Sequence, residues 1–132
     1  MSEPFVREMW GPEDDDEEGS FEPSWEEVRQ AIDRLGEDGA SMVLMAGEEE
    51  VPHLCIGGGK GGQYILYVTL ADGKFYSAVD PEGNDQPVQV LTGGELREFP
   101  ARLCVGEAIV LRAARTFYES GELEPSVSWS DE

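Results

Sequence analysis

The sequence predicts an α+β fold: a single layer of mostly antiparallel sheet, about five to six strands in meander order, with an N-terminal and a C-terminal helix packed on it. Two stretches of helical periodicity flank a central block of β-branched and aromatic runs, and a two-residue hairpin signal joins two of those runs. A length of 132 residues with 39% hydrophobic content suits one modest core.

The first helix opens at "SWEE", where Ser24 and Glu27 fit a capping box. Trp25, Val28, Ile32 and Leu35 then recur at helical spacing, and Gly36 suits the C-terminal cap. The acids of the first turn sit where the helix dipole favours negative charge.

The middle reads as β. Residues 41–46, "SMVLMA", form a strand, and the acidic turn "GEEE" follows with Glu48, Glu49 and Glu50. Residues 51–57, "VPHLCIG", form the next, with Pro52 suited to a strand start or an edge. Residues 63–70, "QYILYVTL", and 75–79, "FYSAV", are joined through Asp72-Gly73, a hairpin dipeptide. Residues 80–87 are a turn-rich loop, residues 88–91 a fifth strand, and residues 96–99 a short sixth ended by Pro100. The second helix, residues 107–120, places Ala108, Leu111, Ala114, Phe117 and Tyr118 on one side, with Gly121 as its cap. The tail carries Leu123, Val127 and Trp129, which pack back on the body or add a strand.

Residues 1–20 read as an acidic, flexible arm, and residues 21–132 as a single α+β domain. The arm holds six consecutive like charges: Glu13, Asp14, Asp15, Asp16, Glu17 and Glu18. Trp10 is an odd companion for a pure spacer and would anchor the arm to the body or to a partner.

Charge is the dominant signal. Asp and Glu number 29 against 9 Lys and Arg, a formal net charge of −20. Residues 1–50 hold 17 acids and 3 bases, so the excess is concentrated toward the N-terminus. Such a field repels phosphate, which argues against direct nucleic-acid binding and anionic membranes, and it steers a basic partner on quickly. Acidity also confers solubility in its own right. No apolar run approaches the roughly 20 residues that span a bilayer. The N-terminus lacks a basic stretch followed by an apolar one, so a cytoplasmic protein is expected.

The stretch "GGGKGGQY" raises the question of phosphate, because Gly57, Gly59 and Gly62 spell G-x-G-x-x-G. A dinucleotide site needs a helix after that loop, and here a strand-like run follows. A Walker-type loop fails as well, since neither Ser nor Thr follows Lys60. A pliable hairpin connection is the expected role. His53 and Cys55, two residues apart on a strand, share one face, but two ligands do not complete a zinc site. Cys55 and Cys104 lie in apolar surroundings and read as buried free thiols. There is no G-x-S-x-G elbow, and the acid block lacks the spacing of a calcium loop. Asp72 and Asp80 are accounted for by turn chemistry, Glu27 by capping. The expectation is a non-enzyme without catalytic residue, cofactor or metal.

Protein binding remains. The candidate contacts are Trp10 and Trp129, a residue type enriched in binding hot spots, together with Glu13, Asp14, Asp15, Asp16, Glu17, Glu18, Glu48, Glu49, Glu50 and Lys60.

Five stretches carry a family resemblance: "SWEEVRQAIDRL", "CIGGGKGGQYILYV", "FYSAVDPEG", "GGELREFPARLCV" and "EAIVLRAARTFYESGELEPSVSW". The most specific part is F-x-x-x-G-x-L-x-P-x-x-x-W over residues 117–129. Together they resemble the bacterial immunity protein family numbered one, of polymorphic toxin systems, over about residues 22–132. The resemblance implies a protein that binds and neutralises a cognate toxin encoded by the adjacent gene, often a zinc-type nucleic-acid deaminase. Such a toxin's cleft accepts a phosphate backbone and should be basic, which an acidic inhibitor complements. The alternative is a general acidic interaction module, a nucleic-acid mimic or a chaperone for a basic protein. A third reading is a small enzyme or ligand binder using the glycine loop and His53.

Overall fold

The computed structural model describes residues 4–10, 20–36, 42–47, 52–59, 62–92 and 95–130. Among them the elements run β1 (Glu8–Trp10), β2 (Ser20–Phe21), α1 (Trp25–Arg34), β3 (Met42–Ala46), β4 (His53–Gly58), β5 (Tyr64–Thr69), β6 (Phe75–Val79), β7 (Pro87–Thr92), β8 (Glu95–Pro100), α2 (Glu107–Ser120) and β9 (Ser128–Ser130). A short 3-10 helix, Ala101–Leu103, leads toward α2.

Seven strands form one sheet in the order β2-β1-β3-β4-β5-β6-β9, every pair antiparallel. Side chains alternate across a strand, so each strand sends every second residue to the helices. Val43 and Met45 of β3, Leu54 and Ile56 of β4, and Leu66 and Val68 of β5 meet Val28 and Ile32 of α1 and Val110, Ala114 and Phe117 of α2 in one core. Fully burying a side chain of this kind contributes about 1.5–3 kcal/mol, so this layer carries most of the fold's hydrophobic stabilisation.

Local chemistry sets the helix ends. Ser24 Oγ accepts a hydrogen bond from the Glu27 N–H at 3.2 Å, which caps α1. Gly36, just beyond the C-cap residue Leu35, has φ +96°. Gly121 ends α2 in the left-handed region, its N–H donating to the Phe117 carbonyl at 2.8 Å. The buried stripe of α2 is Val110, Ala113, Ala114, Phe117 and Tyr118. The expected stripe included Ala108 and Leu111; Ala108 is exposed and Leu111 half-buried, because the two bulky residues Phe117 and Tyr118 set the inward face.

The α+β class stands, with a richer sheet than expected. The sequence reading put a boundary at residue 20, yet β1 and β2 belong to the main sheet. Val6 and Met9 are core residues, 1% and 5% exposed. The Phe5 N–H donates to the Tyr118 carbonyl at 2.8 Å and the Arg7 N–H to the Ala46 carbonyl at 2.9 Å, tying this segment to α2 and β3. Strands β7 and β8, expected to continue the meander, pair only with each other as a two-stranded sheet. The tail instead closes the main sheet as β9 beside β6.

Candidate functional site

The glycine run is explained by close approach. A Cβ on Gly57 would come within 2.7 Å of Thr92 Cβ on β7, and one on Gly59 would lie 2.6 Å from the Leu35 carbonyl at the end of α1. Missing side chains at these two positions let the β7–β8 hairpin and α1 seat against β4. The Gly59 N–H donates to the Gln63 carbonyl at 2.8 Å and the Gly62 N–H to the Gly59 carbonyl at 3.2 Å, so these loop donors are already engaged. Strand β5 then begins at Tyr64, where a phosphate site would need a helix. Lys60 lies outside the described residues.

Among the described residues, the sheet face away from the helices is covered in part, with Ala46 and Cys55 buried on it and Phe75 exposed. Its register places Trp10, Leu44, Cys55, Tyr67, Ser77 and Ser130 in one row across six strands. Glu8, Ala46, His53, Thr69 and Phe75 form the next row. Toward the other end, Ile65 meets Val90 and Cys104, with Val88 and Phe99 packed around them, so the hairpin covers that end. His53 and Cys55 do share a face, as their spacing requires, but Cys55 is buried and only His53 is half-exposed.

Between hairpin and sheet lies a groove of about 500 Å³, lined by Met42, Ile65, Tyr67, Phe75, Arg97 and Phe99 among others. The Tyr67 and Phe75 rings are 4.9 Å apart, and Phe75 is 40% exposed. Burial pushes the Tyr67 phenol up, and its hydrogen bond with Cys55 adds to this; nearby Arg97 opposes both. The phenol therefore stays neutral and donates. Burial also raises the Cys55 and Cys104 thiols, the reverse of what a nucleophilic cysteine needs. Arg97 Nη2 donates to Glu95 Oε2 at 3.4 Å, a loose exposed pair.

The candidate contacts read from the sequence are dispersed. Trp10 is half-buried on the open sheet face, in the row of Tyr67. Trp129 packs against the helix-side core, and its Nε1 donates to the Glu124 carbonyl at 3.0 Å. The Glu124 carboxylate in turn accepts from the Ser126 N–H at 2.6 Å, from Thr116 Oγ1 at 2.9 Å and from Ser126 Oγ. That cluster explains the residue 117–129 pattern: Phe117 fills the core, Gly121 turns the chain, and the Glu124 turn delivers Trp129 to the sheet. Glu13, Asp14, Asp15, Asp16, Glu17, Glu18, Glu48, Glu49 and Glu50 lie outside the described residues.

Exposed carboxylates elsewhere include Glu26, Glu27 and Asp33 on α1, Glu107 and Glu119 on α2, and Glu98 on β8. The sequence reading passed over Tyr67, Phe75, Arg97 and Phe99. Their signal was present: Tyr67 and Phe75 lie on either side of the Asp72-Gly73 turn, and Arg97 and Phe99 alternate along one strand.

A family model described as Immunity protein Imm1 matches residues 16–131, opening slightly before the resemblance read from the sequence. Comparison with curated proteins gives no match. Among the described residues, no helix is long and apolar enough to cross a membrane.

Proposed function

We propose that this chain, which belongs to the Imm1 immunity protein family, neutralises a cognate bacterial toxin by binding it and covering a basic substrate cleft. The family implies an immunity protein against a toxin. The observation that carries the rest is the net charge of −20, with carboxylates exposed on both helices and on β8. A cleft that accepts a phosphate backbone must be positive, and an inhibitor of opposite sign gains both rapid encounter and complementarity. The toxin of this reading acts on nucleic acid, with a zinc-type deaminase as the leading class.

The role is occlusion without catalysis, in the cytoplasm of the cell that encodes the toxin beside its inhibitor. Raised thiols at Cys55 and Cys104 suit packing, not attack on a substrate. The test is co-expression with the product of the adjacent gene, followed by affinity capture. The expected result is rescue of growth together with recovery of a complex. Continued toxicity with no complex would refute the reading. A complex dispersed by moderate salt and formed equally with unrelated basic proteins would favour a general acidic module instead.

A further inference from the structure

We infer that the partly open sheet face, with the groove beside the β7–β8 hairpin, is the surface that docks the toxin, and that it receives an apolar projection flanked by Lys or Arg. This rests on the inhibitor reading and names its surface. Among the described residues, the helices pack on the opposite face, while the hairpin packs on the Ile65 end of this one. Beside the hairpin the described strands carry a band from Trp10 on β1 to Phe75 on β6, four strand spacings or roughly 19 Å wide, with Ala46 and Cys55 buried within it and Phe75 exposed at its edge.

The residue types along this band, Trp10, Tyr67, Phe75 and Arg97, are those that dominate protein interfaces. The Tyr67–Phe75 pair, with rings tilted 31° to each other, offers an apolar wall at the groove, and Phe75 is exposed on the free chain. Charge selects the occupant. Glu8 stands on the same face at the β1 end, and Glu95 lies beside Arg97 at the hairpin end. A patch carrying Leu44, Tyr67 and Phe75 with Glu8 at its edge, on a chain of net −20, is the complement of an apolar side chain in basic surroundings. Long-range acidity brings the toxin in, and the apolar band fixes its register.

Hydrogen exchange on the full chain, alone and with the purified product of the adjacent gene, tests this. Protection on binding is expected in β5, β6 and β8, with α1 and α2 unchanged. Phe75→Asp should weaken the complex roughly thirtyfold through faster dissociation, whereas Gln30→Ala at an exposed, uncharged position of α1 should leave it unchanged. Its exchange in the free state shows whether Phe75→Asp is folded. Absence of any complex with the wild-type chain overturns the inhibitor reading and this inference together. A tight complex that protects the helices and leaves β5, β6 and β8 unprotected overturns the inference alone. Protection of the band that rises with the chain's own concentration would make it a self-association face, and would also overturn it.

Discussion

The Phe5 ring stands edge-on to the Phe117 ring, with centroids 5.5 Å apart and planes at 80°. Phe117 is the largest fully buried side chain of α2, so the start of the chain seals the end of the last helix. Phe5→Ala should therefore cost about 2 kcal/mol, less than a fully buried Phe because Phe5 is half-buried. Urea denaturation measures it. An unchanged midpoint would show that the first ten residues do not hold the core.

The glycines separate steric from conformational roles. Gly62 has φ +77° with open space around it, so Gly62→Ala should cost about 1 kcal/mol from backbone strain. Gly59 has φ +102°, and a Cβ there would lie 2.6 Å from the Leu35 backbone, so Gly59→Ala should cost about 3 kcal/mol. Thermal unfolding of the two variants gives the order. Equal losses would contradict close approach of α1.

The Glu124 turn predicts an acid response in the tail. Hydrogen bonds from Ser126, side chain and backbone, and from Thr116 hold the Glu124 carboxyl below its ordinary value of 4.5. A carboxyl lowered in the folded state adds stability above its unfolded value and loses it as pH falls through the folded value. Exchange at residues 128–130 should quicken as pH drops below 4.5, after correction for intrinsic rates. In Glu124→Gln the tail should already be loosened at neutral pH and lack that dependence. An identical profile in both proteins would remove Glu124 from the account.

Replacing the six acids at residues 13–18 by their amides should slow association with the toxin and flatten its salt dependence, with dissociation little changed. Stopped-flow binding at several ionic strengths reads both rates. A change confined to dissociation would assign those residues to direct contacts instead of steering.

Much of the local structure was legible because its causes are local. Ser24 and Gly121 cap their helices as the sequence indicated, and at Asp72-Gly73 the Lys74 N–H donates to Asp72 Oδ1 at 2.9 Å. What escaped were choices of partner. Alternation in "VQVL" states that one face is buried, yet it does not say whether the strand joins β6 or crosses β4. That choice depended on the missing side chain of Gly57 meeting Thr92, a contact between residues far apart in sequence. The N-terminal segment was obscured for a similar reason. Its acid block dominated the reading, while Val6 and Met9 were too few apolar residues to signal a strand alone. At the site, Trp10 was singled out for its type, but its alignment with Tyr67 appears only through the register of four strands.

The central claim is that this chain neutralises its toxin by direct binding, and a titration of toxin activity tests it most directly. The purified product of the adjacent gene would be assayed on nucleic acid while the chain is added in steps. The account predicts that activity falls linearly to zero at equimolar chain, and that Phe75→Asp requires a large excess. Full toxin activity in the presence of excess wild-type chain would contradict it.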